Sequence, residues 1–227
     1  MKKFILCSLI SISLLSTTAT TAQTTEKGKT SFAIVGGVNF QNFNGKDANG
    51  NKLENKLMVG YHAGFNVMIP IAPEFYFQTG LLYSLKGAKN VTDSYTNNYK
   101  LSYLEMPLNL VYKAPLGNGF VMLGFGPYLA YCIKGKTKTE WKSGETVDSD
   151  IEFKNTIAAT DGVNPPYFKA FDAGANIFAG YELANGIYLQ LNSQLGLVKI
   201  NSKDMHFPNE KTSVKNTGFG LSLGYRF

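Results

Sequence analysis

Two cysteines, two histidines and one tryptophan are the whole supply of those side chains in 227 residues. Cys7 lies in an N-terminal apolar run, so beyond that run only Cys132 remains and no intrachain disulfide can form. No Cys/His spacing suits zinc. The loop acids Asp47, Asp93, Asp148, Asp150 and Asp161 do not fall into a calcium-loop spacing, so neither metal nor cofactor is expected. After residue 22 no apolar run reaches the ~18 residues of a membrane helix. Mean hydropathy is −0.10, a value common in soluble proteins. It is equally the value of a β-barrel, whose alternating strands average to near neutrality. Neither charge sign dominates: 22 Lys and Arg stand against 16 Asp and Glu. The lysines are interspersed with acids in loops, which argues against nucleic acid as a partner.

What is present begins with an export signature. Met1-Lys2-Lys3 is a charged start, Phe4–Leu15 a short apolar stretch, and Ser16–Ala22 a small, polar end with Thr20 and Ala22 placed for cleavage before Gln23. This reads as a signal peptide over 1–22, followed by one barrel domain over 23–227. Cys7 sits inside the apolar stretch rather than at its end, so a lipoprotein is not expected. Loss of Lys2 and Lys3 would lower the formal charge from +6 by two.

The final segment carries the clearest pattern. In Thr217–Phe227, Phe219, Leu221, Leu223, Tyr225 and Phe227 alternate with Gly218, Gly220, Ser222, Gly224 and Arg226. A soluble sandwich buries its apolar face. Here the other face has too little bulk to make a core, so the apolar side chains are expected to meet lipid and the small or polar ones a barrel interior. Seven earlier segments alternate likewise: Ser31–Phe43, Leu57–Pro70, Phe75–Lys86, Tyr99–Lys113, Gly119–Lys134, Phe168–Leu183 and Ile187–Ile200. Each has the ~9–11 residues that a tilted membrane strand needs. Leu108, Leu123 and Leu191 are expected near mid-bilayer.

The connections alternate in length. Ile71–Glu74, Ala114–Asn118 and Ala184–Gly186 are tight and contain Pro or Gly; Asn44–Lys56, Gly87–Asn98, Gly135–Tyr167 and Asn201–Ser213 are long and polar. Short periplasmic turns and long extracellular loops are the pattern of outer-membrane barrels. The fold class predicted is therefore all-β: an eight-stranded antiparallel transmembrane β-barrel with both termini periplasmic, in the outer membrane of a Gram-negative cell. Outward aromatics fall at two levels, Phe75, Phe77, Tyr112, Tyr181, Tyr225 and Phe227 toward the turns, and Tyr61, Tyr83, Tyr131 and Phe171 toward the loops. These are expected interfacial girdles.

Tyr103-Leu104-Glu105-Met106-Pro107-Leu108-Asn109-Leu110 resembles the Tyr-Leu-Glu-Ile-Pro-Leu strand of the PorT family of outer-membrane β-barrel proteins. Phe171–Asn176, Gly180-Tyr181-Glu182 and Gln194–Leu197 are similar to later strands of that family. The resemblance implies an outer-membrane barrel of about eight strands and little about activity.

An interior of about eight strands is filled by side chains. Inward Glu105, Lys86, His62, Tyr103 and Asp172 are expected to form a polar network there, and Glu182 with Arg226 to close the periplasmic end, because a lone buried charge is costly. A narrow diffusion channel is one alternative. A barrel enzyme acting on lipid or peptide is another, with His62, Ser84 and Asp172 as its only conceivable triad; no catalytic residue is assigned. The expected role is structural, binding or scaffolding through the extracellular loops, where Trp141 is a candidate contact. Expected partners are outer-membrane lipid, the barrel-assembly machinery through Tyr225 and Phe227, and an extracellular or envelope protein.

Overall fold

The computed structural model describes residues 28–162 and 166–227. The expected signal peptide, with Cys7 and the cleavage position at Ala22, lies outside these residues. Eight long strands form one ring: β1 (Ser31–Lys46), β2 (Met58–Ala72), β3 (Phe75–Val91), β4 (Tyr95–Leu116), β5 (Gly119–Trp141), β6 (Phe171–Leu183), β7 (Ile187–Gly196) and β8 (Ser213–Arg226). Each pairs antiparallel with its sequence neighbour, and β8 pairs with β1 from Ala33↔Arg226 to Lys46↔Ser213. The seam is tied at its foot by the Phe227 amide, which donates to the Phe32 carbonyl at 2.8 Å. A closed ring leaves no edge in the hydrocarbon.

Alternation divides the wall as lipid requires. Phe65, Phe125, Ile177, Leu191 and Leu223 are exposed on the outside, whereas Asn39, His62, Gln78, Asn109 and Ser222 are buried inside. Outward aromatics pair along the wall, Phe75 with Tyr112 at 5.3 Å between centroids and Tyr61 with Tyr83 at 5.8 Å. The short turns use Gly117 and Gly186 with positive φ, a conformation a Cβ penalises.

The bore is narrow, and register decides what fits in it. His62 lies opposite Gly37, Phe178 opposite Gly124, Tyr128 opposite Gly174 and Tyr188 opposite Gly224. In each pair the ring lies over the bare glycine, in the space a Cβ would take. Carboxamides use the same device: Asn39 and Asn192 flank Gly220, and Gln41 and Gln194 flank Gly218.

The outer end differs from expectation. Gly87–Asn98 is not a long loop: β3 and β4 continue as a regular hairpin to a turn at residues 92–94. Residues 135–167 begin as strand, since β5 runs on to Trp141 and turns into a short strand, Thr146–Asp150, paired back on it. At the other side, β6 starts at Phe171 rather than Phe168, and β7 ends at Gly196 rather than Ile200. The remaining loops are cross-woven. Glu152–Phe153 pairs with Tyr167–Phe168, and Thr156–Ile157 with Lys203–Asp204, both in parallel. Under this weave, Ile151, Phe168 and Ile200 pack with Phe43, Leu101, Tyr103 and Tyr128 into an apolar cap over the bore. Each of the three stabilises the lid by about 1.5–3 kcal/mol relative to exposure.

Candidate functional site

The bore carries two buried charge clusters. In the outer half, Lys86 Nζ lies 2.7 Å from Glu105 Oε2 and 3.5 Å from Asp172 Oδ2. The shorter contact is off the ideal hydrogen-bond direction, so it is an ion pair more than an aligned bond. The ammonium also stands 4.0 Å above the Tyr128 ring and 5.4 Å from that of Tyr103, where the ring quadrupoles attract it. Gln194 donates to Glu105 Oε1 at 2.5 Å. Asn216 donates to Asp172 Oδ2 at 2.9 Å and to the Tyr103 hydroxyl at 3.2 Å, and the Tyr128 hydroxyl donates to Asp172. Lys86 is 0% exposed, and its dense partnering offsets the desolvation of an ammonium.

At the end with the short turns, Glu182 takes Arg226 Nε on one oxygen at 2.8 Å and Lys113 Nζ on the other at 2.6 Å. Alternation placed Glu182 and Arg226 here; Lys113 was missed because it stood at the expected strand end. The upper cluster carries two acids and one base, and the lower one acid and two bases. Ala33, Met68, Val111, Met122, Phe178 and Tyr188 form an apolar layer in this lower half of the bore.

His62 is held elsewhere than expected. Its Nδ1 lies 2.7 Å from Asn39 Oδ1 and its Nε2 2.8 Å from Ser222 Oγ. Asn192 donates to Ser222 at 2.8 Å, and Asn39 to Ser84 at 3.4 Å. One assignment satisfies the whole chain: Asn192 to Ser222, Ser222 to His62 Nε2, His62 Nδ1–H to Asn39, Asn39 to Ser84. The grouping of His62, Ser84 and Asp172 does not form, since Asp172 is spent on Lys86, Tyr128 and Asn216. Ser222, His62 and Asn39 do stand in the order of a nucleophile, a base and its orienting group. They border a cavity of about 70 Å³, which admits small molecules and not a lipid or peptide.

Trp141 closes β5 rather than sitting in an irregular loop. It is half-exposed, edge-on to Tyr95 at 5.1 Å. Met205 and Phe207 are exposed apolar side chains in the connection between β7 and β8. In the woven loops, Asp161 is held below the usual carboxylate range, first by the Ala158 amide and then by Lys154 at 3.1 Å.

Solved structures with a similar outline include neisserial surface protein A, at 11% identity, 88% coverage of this chain, 100% of that one and a TM-score of 0.43. Another is the attachment invasion locus protein Ail of Yersinia pestis, solved with the heparin analogue sucrose octasulfate, at 14% identity, 88% and 100% coverage and a TM-score of 0.40. No curated protein matches the sequence. The family model described as "Outer membrane protein beta-barrel domain" matches residues 21–202. With its closed ring of eight strands and apolar outer wall, the chain belongs to that family and is a protein of the outer membrane.

Proposed function

We propose that the protein is a plugged outer-membrane barrel that works by presenting its folded outer end to an extracellular or envelope partner. One observation carries the reading: the outer loops are woven into a lid over an apolar cap, and β4 and β5 run past it to a Tyr95–Trp141 pair whose indole is half-exposed. Side chains fill the bore at three levels, so a binding or scaffold role suits it better than a diffusion channel. Export by cleavage near Ala22, delivery to the assembly machinery through Tyr225 and Phe227, and a place near the PorT family complete the proposal. Crosslinking on intact cells tests it. The wild type should retain a partner that a variant lacking residues 142–150 loses. Equal capture by both would overturn the role given to the hairpin.

A hydrolase reading rests on Ser222, His62 and Asn39. A small fluorophosphonate probe should leave Ser222 unlabelled if the trio is structural. Labelling that disappears in both Ser222→Ala and His62→Gln would favour the enzyme.

A further inference from the structure

Above the apolar wall, the outward faces of β3, β4 and β5 continue as a face of lysines, and register sets them in rows. Lys134 on β5 pairs with Ser102 on β4. Two residues higher, Lys136 pairs with Lys100. Two higher again, Lys138 pairs with Asn98, Asn98 with Lys89 on β3, and Lys89 with Lys56 through a two-way backbone bridge. Tyr99 and Leu101 turn into the apolar cap, so Lys100 between them points outward. Gly135 and Thr137 are buried on either side of Lys136 in the same way. Lys138 lies 2.7 Å from Glu140; among the described residues, none of the other five lysines forms an ion pair. Asp148 faces Lys138 and Asp150 faces Lys136. Six lysines against Glu140, Asp148 and Asp150 leave three positive charges in excess. The Glu140 carboxyl is held below its usual range first by Lys138 and also by Lys89 and Lys100, so the fields of these lysines overlap. Lysine directly opposite lysine repels. Lysine can blunt a sheet edge, but β4 is paired on both sides at Lys100, with Gly87 and with Lys136, so edge protection does not account for that pair. Height does. The Tyr83 hydroxyl donates to Ser102 at 2.8 Å, which puts the Lys134 row at the level of the interfacial tyrosines. Ile133, just below Lys134, is 51% exposed on the apolar wall. Lys136 stands three residues above Ile133, about 8 Å after strand tilt. The headgroup layer is about 5–8 Å deep, and lysine stems reach down into it.

We propose that this lysine face binds the phosphate monoesters of a glycolipid in the leaflet around the barrel, with Lys100, Lys134 and Lys136 as the first contacts. A phosphate monoester carries about −1.5 to −2 at neutral pH, so one placed between Lys100 and Lys136 neutralises both. A singly charged diester leaves one of them bare. The site is independent of the partner role assigned to the hairpin tip.

Barrels folded into phosphatidylcholine vesicles with diphosphoryl lipid A in both leaflets test this, whichever way the barrel inserts. Native mass spectrometry after mild detergent extraction counts the lipid A retained across a titration. The wild type should retain it. Lys100→Gln/Lys134→Gln/Lys136→Gln should fold and bind on the order of a hundredfold more weakly. Lys136→Gln alone serves if the triple variant fails to fold, and should bind about fivefold more weakly. Lys100→Arg/Lys134→Arg/Lys136→Arg should keep the lipid. Lys142→Gln/Lys203→Gln/Lys211→Gln makes the same charge change on exposed lysines elsewhere and should bind like the wild type. A loss in that variant as large as in the first would show a response to net charge alone and overturn the proposal. So would a wild type that retains no lipid A, or that retains phosphatidylglycerol or dephosphorylated lipid A equally well. Dextran sulfate bound by the wild type in place of lipid A would assign the face to a soluble polyanion, and would overturn it too. The Lys100, Lys134 and Lys136 to Gln variant should still capture the partner lost on deleting residues 142–150, which separates the two roles.

Discussion

At the scale of single residues, Lys86 holds the bore together by standing between two carboxylates. Lys86→Met leaves Glu105 and Asp172 facing each other without a cation, and should cost about 3–5 kcal/mol in urea unfolding from vesicles. Adding Glu105→Gln and Asp172→Asn to that variant removes both stranded charges and should restore much of the loss. A triple variant as unstable as the single would show that packing, not charge, is what Lys86 supplies. The facing of the wall is tested one strand away. Leu191 is 65% exposed to lipid while its neighbour Asn192 turns inward to Ser222. Leu191→Arg should lose about 2–4 kcal/mol of folding stability in bilayers if it sits near the midplane. Asn192→Ala should lose less, and equal losses would contradict the assigned facing.

At the scale of elements, the strands within the membrane were legible because lipid on one side and a narrow bore on the other impose a period of two. Leu57–Pro70 shows it without a break. The strands above the membrane were not legible for the same reason. Beyond Gly87 and Lys134 the outer face meets water, so Lys89, Lys136 and Lys138 replace apolar residues and the stretch reads as loop. The cap was equally hidden: Ile151 and Phe153 are isolated apolar residues in polar sequence, Phe168 and Ile200 stood at the ends of expected membrane strands, and they meet only through the weave. Inward residues could be named from alternation, but which of them meet depends on stagger. That is why Glu105 was placed with Lys86 while Gln194, Asn216, Tyr128 and Ser222 went unassigned as partners. The ring-over-glycine pairs also need register. They predict coupling: Gly224→Val should drive the Tyr188 ring aside and destabilise the barrel. Tyr188→Ala should relieve part of that cost, giving a favourable coupling energy of about 0.5–3 kcal/mol in a double-mutant cycle. Strict additivity would mean that the ring moves freely.

At the scale of the whole molecule, the outer end is folded and the periplasmic end is three tight turns. Proteinase K, which has broad specificity, added to intact cells should cut around Lys142, which is exposed in the turn after Trp141, and should spare the barrel. Cleavage within residues 114–118 instead would invert the orientation. Purified protein in a planar bilayer should pass no steady current. A variant with Ile151, Phe168 and Ile200 all changed to Ser should loosen the lid yet leave the bore blocked by the two charge clusters. Steady conductance from the wild type would overturn the plugged reading.

The ring is also uneven in height. β4 has 22 residues and β5 23, whereas β7, two strands round the ring from β5, has 10. From Ile133 to Trp141, β5 climbs eight residues, on the order of 20 Å after allowing for strand tilt. The molecule therefore has a front and a back in the plane of the membrane. A ligand descending from outside meets the lid from any direction. A neighbour embedded in the same bilayer meets a raised wall at β4 and β5 and a low rim at β7, a quarter-turn away. Rotation about the barrel axis, which a symmetric barrel would not register, thus decides which membrane neighbours the wall can touch.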